Sequence, residues 1–374
     1  KQNMKRILLL FVAVMAFVCN INAQSWNMVV THKDGTVQVF PASEVKNVTF
    51  QTTDKNADQV IIKELYTTGV PYDMDAKKFF QSDKGFILYN NSGEKAVISN
   101  LAVGILDPYN AHSVANNWYT ANATQPSYVA EGWVPATNGI WYFPDSLVIE
   151  PYSQVVVSCM GAVDNTKTYS KSVNYANKDY YTMYDPASGY DNKMYYPTPS
   201  EVIPASHYLK AVRFGLGNAW PLSQTSPAFF IFQTKNTTPE AFAKNVDNIV
   251  YAPGKAKTPV NAVLKVPTEW VLDGVEVYQD TNVGTSKKRF GDDVDAGYVV
   301  QTYRTGHTVY RNVDADATKK IAGNEGKLVY NYTLGNDPSH IDAEASMKQG
   351  AKIVYMDTNN SSNDFHERTQ SSLK

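Results

Sequence analysis

The chain has 374 residues, 43% hydrophobic and 19% charged, enough apolar matter to bury a core and too little charge for a disordered polyelectrolyte. Its 34 Lys and Arg against 36 Asp and Glu give a formal charge of −2. No basic run is present to release counterions, which argues against nucleic acid as a partner.

Residues 1–23 read as an export signal: Lys5 and Arg6 form a basic start, 7–18 an apolar run too short to span a bilayer comfortably, and Ala23 a cut site. Nothing later approaches 18 continuous apolar residues, so no transmembrane segment is expected in the mature chain. The expected address is the periplasm, the outer-membrane surface or the medium. Cys19 follows Val18 where a lipoprotein signal needs a small residue, so a lipid anchor there is not expected. Cys159 is then alone, rules out an internal disulfide and, after "SQVVVS", reads as a buried small hydrophobe.

Residues 24–52 read as a small β module. Alternating runs at 26–31 and 37–40 flank Lys33-Asp34-Gly35, whose Gly suits a tight hairpin turn, and a third run covers 48–50. The pattern resembles a short leader module found after signal peptides in secreted Bacteroidetes proteins. Residues 53–59 form a polar linker.

From 60 to 374 the predicted elements are short β-branched or aromatic runs. They begin with "VIIKELYTTG", "GFILYNNSG" and "KAVISNLAVGILD", followed by "WYFPDSLVIEPYSQVVVSC" as two runs split at Glu150-Pro151. Further runs cover 228–233, 248–251, 270–278, 298–303, 308–311, 327–332 and 352–356. Gly, Pro, Asn and Asp separate them, the signature of a mainly β sandwich. Two short helices are predicted, at 239–246 and 339–348, the second with Ser339 and Asp342 in capping-box spacing. Between about 109 and 230 the spacing is irregular and rich in Tyr, an apparent insertion.

"IIKELYTTG", "GFILYNNSGEKAVISNLAVGI" and "LVIEPYSQVVVSC" resemble the opening of a lamin-tail-type domain, with Glu64 and Tyr89-Asn90 at matching positions. "VPTEWVLDGVEVY", "VDAGY", "TVYRNV" and "DTNNSSNDF" resemble a domain-of-unknown-function family of secreted Bacteroidetes proteins whose pattern overlaps the lamin-tail one. The resemblance covers 59–366. It implies an immunoglobulin-like β-sandwich with long insertions, a surface location and no catalytic residues. Ile87 stands where lamin-tail patterns carry Glu, and the Tyr-rich insertion has no counterpart there.

Candidate chemistry is sparse. In "DTNNSSNDF", Asp357, Asn359 and Asp364 offer alternating oxygens for Ca²⁺, but Ser362 and Arg368 replace the Gly and Glu of an EF-hand loop. A hydrogen-bonded turn is the favoured reading, because Asn and Asp bond their own backbone. Asp293-Val294-Asp295-Ala296-Gly297 is half a calcium pattern with its other ligands missing. The six His show no zinc spacing, Gly-x-Ser-x-Gly is absent, and Gly215 and Gly217 lack a dinucleotide-binding context. No enzyme and no resident cofactor are expected. The aromatics give the binding clue: Tyr180, Tyr181, Tyr184, Tyr190, Tyr195 and Tyr196 would stack on sugar rings if exposed, and pack a β core if not. The favoured function is an exported, non-enzymatic binding protein for polysaccharide or a cell-surface protein. The alternatives are a structural or adhesive module, and a carbohydrate-active enzyme with two carboxylates about 5–9 Å apart.

Overall fold

A computed structural model describes residues 26–32, 35–46, 48, 54–107, 118–119 and 123–374. The segment expected to be an export signal, with Cys19, the expected turn residues Lys33 and Asp34, most of the run at 48–50, and 108–117 and 120–122 of the expected insertion lie outside the described residues. The chain divides into two units, 1–52 and 53–374. In the first, Asn27–Thr31 pairs antiparallel with Val37–Pro41, Asn27 opposite Pro41 and Thr31 opposite Val37.

The second unit is built on one 12-stranded mixed sheet. Its strands run in the spatial order Val299–Gln301, Val271–Gln279, Ala228–Gln233, Leu101–Leu106, Gly139–Tyr142, Tyr208–Arg213, Tyr181–Met183, Gln154–Met160, Lys84–Asn90, Val60–Tyr66, Thr308–Arg311 and Phe365–Arg368. Tyr181–Met183 is parallel to both of its neighbours and Val299–Gln301 to its one, while the other pairs are antiparallel. The sheet curls until its two edge strands touch and Val271–Gln279 lies against Val60–Tyr66, giving a nearly closed barrel. A three-stranded sheet of Ile249–Tyr251, Ala262–Pro267 and Trp133–Thr137 forms beside it.

Burial explains why the central strands read as continuous apolar runs rather than as alternations. The barrel interior holds Val60, Ile62, Phe86, Leu88, Trp141, Val157, Phe229 and Ile231. Ala102, Phe230 and Phe232 point the other way and pack with Trp133, Val134 and Leu264. Both faces are covered, so both must be apolar. A β-bulge between Ile62 and Glu64 inserts Lys63 as an extra residue and reverses the alternation. Leu65 therefore faces the interior, whereas Tyr66 faces an outer cluster. Lys63 is buried outside the barrel, held by Gln154 Oε1 at 2.8 Å and Glu344 Oε1 at 3.2 Å.

Several expectations are corrected. The run at 96–106 is two strands, Ala96–Ile98 and Leu101–Leu106, broken where Asn100 is left-handed at φ 55. The runs at 327–332 and 352–356 form only the isolated bridges Tyr330–Ile341 and Val313–Tyr355. The second helix is Ala343–Lys348, capped by Asp342 through the Ala345 N–H, while Ser339 bonds Ile341 instead. The region from 109 to 230, expected to be an irregular Tyr-rich insertion, supplies Gly139–Tyr142, Gln154–Met160, Tyr181–Met183 and Tyr208–Arg213 to the main sheet.

Candidate functional site

The tyrosines proposed as a binding row divide between buried and half-buried positions. Tyr190 and Tyr196 are 1% and 5% exposed and belong to the main core. Their rings pack on Trp141 at centroid distances of 5.5 and 5.8 Å. The Tyr190 hydroxyl donates to the Asn138 carbonyl, and the Tyr196 oxygen accepts the Trp220 N–H at 2.9 Å. Tyr180, Tyr181, Tyr184 and Tyr195 are half-buried. Tyr181 stacks on His207 at 4.1 Å, Tyr184 sets its edge to Tyr208, and Tyr195 accepts from Gln81 Nε2 at 2.6 Å. The physical reason is that this segment walls the barrel, where a phenol buries its ring and still finds a partner for its hydroxyl.

The loop 357–364 is a turn organised by buried charge. Asp364 accepts the Thr358 N–H at 2.8 Å, the Thr358 hydroxyl at 2.8 Å and the Asn360 N–H at 3.3 Å. Asn359 is left-handed at φ 51, and Asn360 caps the helix Ser361–Asp364 through the Ser362 N–H. Asp357 pairs with Arg311 Nη1 at 3.2 Å. Asp295 clamps the loop from the other side, accepting the Ser361 N–H at 2.7 Å and hydroxyl at 2.6 Å. Gly297 is needed there, because a Cβ would sit 2.0 Å from Asn360 Oδ1. The oxygens proposed for Ca²⁺ on Asp357 and Asp364 are thus engaged by backbone and guanidinium. Among the described residues, no group of three or more His, Cys, Asp or Glu is arranged to hold a metal.

What the fold does build is an open cleft of about 840 Å³ beside the Tyr-rich segment. Tyr142 and Phe143 form an aromatic part of its lining at the end of Gly139–Tyr142. Against Tyr142 lies the helix Pro239–Lys244, with Thr238 accepting from the Ala241 N–H, Pro239 at its start, Glu240 in its first turn and Lys244 in its last. That placement suits the helix dipole, and the i,i+4 spacing pairs Glu240 with Lys244. Glu240 also accepts from the Tyr142 hydroxyl, and Lys244 together with Tyr142 holds its carboxyl below the usual range. Burial, followed by the Glu240 charge, pushes the Tyr142 phenol up to about 12. On the other side Asp185 accepts the Ala211 N–H at 3.1 Å and faces Lys210 Nζ at 3.5 Å. Arg213 bonds the carbonyls of Gly189 and Gly217, both at 3.2 Å. Gly189, at φ 92, leaves room for that guanidinium, which a Cβ would approach to 2.5 Å. The cleft thus offers the half-buried Tyr142 ring, with Phe143 buried behind it, fringed by donors and acceptors already held in place.

A second groove, of about 580 Å³, includes His307 and Glu367. Nδ1 of His307 lies 2.9 Å from Glu367 Oε1, which also accepts the Thr302 N–H at 2.8 Å. Neither group stands out in the sequence, because the partners are 60 residues apart and follow no spacing motif. Asn90, by contrast, is structural: Nδ2 reaches the carbonyls of Glu94, Ile149 and Glu150 at 2.7, 3.0 and 3.2 Å. Cys159 is buried, and burial pushes its thiol up to about 12.

Among the described residues, no helix is long and apolar enough to cross a membrane. Residues 150–333 match the model of a family described as protein of unknown function, DUF4876. Among solved structures the chain is similar to a DUF4876 family protein from Bacteroides thetaiotaomicron VPI-5482, at 16% identity and a TM-score of 0.57. The match covers 90% of this chain and 74% of that one, a likeness of fold alone. No curated protein matches the chain.

Proposed function

We propose that the protein is an exported, non-enzymatic binding protein of a bacterial surface or periplasm, and that the cleft at Tyr142 takes a glycan. The observation that carries this proposal is the pairing of the half-buried Tyr142 ring with pre-positioned Asp185, Lys210, Arg213 and Glu240 in one open cleft. Sugar rings stack on aromatic faces, while their hydroxyls need both donors and acceptors close by. Glu240 argues for binding over hydrolysis, because a glycosidase acid needs a raised pKa and Lys244 pulls this one down. Export is supported by the basic and apolar runs at 5–18. A lamin-tail, immunoglobulin-like kinship is part of the same proposal, supported by the mainly β fold and by Glu64 and Tyr89-Asn90 at matching positions.

The test is a glycan array read with parent protein, Tyr142→Ala and Asp185→Asn, each checked for an unchanged melting temperature. Parent should bind a subset of polysaccharides, and each variant should lose roughly tenfold or more in affinity, since each removes a pre-positioned contact. Absence of binding by the folded parent, or binding that neither change weakens, would sink the proposal.

A further inference from the structure

At one end of the barrel lies a separate cavity of about 560 Å³, whose lining includes Lys84, Ile105, Leu106, Met160, Trp220 and Leu222. Lys84 is unusual. It is 5% exposed, and its Nζ makes a 2.6 Å hydrogen bond to the Leu222 carbonyl. No carboxylate pairs with it among the described residues, although Asp107 lines the same cavity. The ionisable neighbour that acts on it is Cys159, a buried thiol held neutral at ordinary pH. A buried ammonium without a counter-ion is costly, and burial accordingly pushes Lys84 down to about 8. A second donor nearby is also unmatched: the Trp220 indole N–H is buried with no acceptor among the described residues. A buried ammonium with a carbonyl but no carboxylate, and a buried indole N–H with no acceptor, therefore lie at a cavity whose lining mixes apolar and polar residues.

We propose that this cavity binds a small apolar monocarboxylate, with its carboxylate as the missing counter-ion of Lys84 and its tail along Ile105, Leu106 and Met160. The site is distinct from the Tyr142 cleft and stands independently of the glycan proposal.

Octanoate is a suitable probe, with octanamide as its uncharged match. Calorimetry near pH 8 should show octanoate binding the full chain roughly tenfold or more tightly than octanamide, as expected for a charge-assisted bond. Binding should also take up protons, because a bound anion restores the charge of a half-neutral amine; this is read as a different heat in Tris than in phosphate. Lys84→Met removes a burial penalty, so it should stay folded, lose the preference for octanoate and bind without proton uptake. Equal binding of octanoate by Lys84→Met and parent, no preference over octanamide, or no millimolar binding by folded parent would each overturn the proposal.

Discussion

Replacing Arg311 with Met would remove the cation at the centre of the loop 357–364. Its guanidinium bonds Asp273 directly, pairs with Asp357 at 3.2 Å and Asp364 at 3.8 Å, and donates to the carbonyls of Ile62 and Met356, both at 2.8 Å. The losses are unequal. Asp357 is 39% exposed, so that pair contributes under about 1 kcal/mol. Asp364 keeps its three bonds from Thr358 and Asn360. Asp273 is left buried with only the N–H groups of Ile62 and Gly274, at 2.6 and 2.8 Å, and no cation. Orphaning one member of a buried pair costs about 3–5 kcal/mol, a third or more of the stability of many small domains. Burial drives the Asp273 carboxyl upward and Arg311 pulls it back. Without Arg311 its folded pKa lies further above the unfolded value, a contribution present below the unfolded pKa and lost as pH rises. The deficit of the variant should therefore be largest at neutral pH and shrink toward pH 4. Urea unfolding followed by the buried Trp141 and Trp220 measures it. Adding Asp273→Leu should recover part of the loss, since the orphaned charge is gone. A loss under about 1 kcal/mol, or no recovery in the double variant, would refute the reasoning.

Two further outcomes follow from buried groups. Burial lifts Asp83 from 3.8 to about 6, outweighing the 2.5 Å hydrogen bond that the Tyr66 hydroxyl donates to it. Its contribution to stability is present below about pH 4 and lost as pH rises through 6, so Asp83→Asn should stabilise by about 3 kcal/mol at pH 8 and not at pH 4 in urea titrations. Gly297→Ala should cost about 1–3 kcal/mol by driving a methyl into Asn360, and a second change, Asn360→Gly, should return part of the lost melting temperature.

How much was legible follows the physics of each element. Val60–Tyr66, Lys84–Asn90, Ala228–Gln233 and Thr308–Arg311 are dense in β-branched and aromatic residues, and each is a strand where its composition placed it. Trp133–Thr137 carries Pro135, which masks a strand, and Phe365–Arg368 ("FHER") is a polar edge strand that reads as a loop. The bulge at Lys63 depends on what packs outside the barrel, so no local pattern announces it. Tyrosine content could not tell a wet face from a core, and the contacts of Tyr190 and Tyr196 with Trp141 decided that at long range. In the cleft only the helix was readable, as the run 239–246; Asp185 and Arg213 join it through tertiary packing.

The strand order has a consequence for synthesis. Val60–Tyr66 takes Thr308–Arg311 as one neighbour, and Arg311 Nε reaches the Ile62 carbonyl across 249 positions of sequence. At 5–20 residues per second, the early strand waits on the order of tens of seconds on the ribosome for that partner. Until Thr308–Arg311 emerges, that edge stays open and the charge destined for Asp273 has not been made, so the nascent chain carries an unpaired strand and an unmatched carboxylate through most of its synthesis.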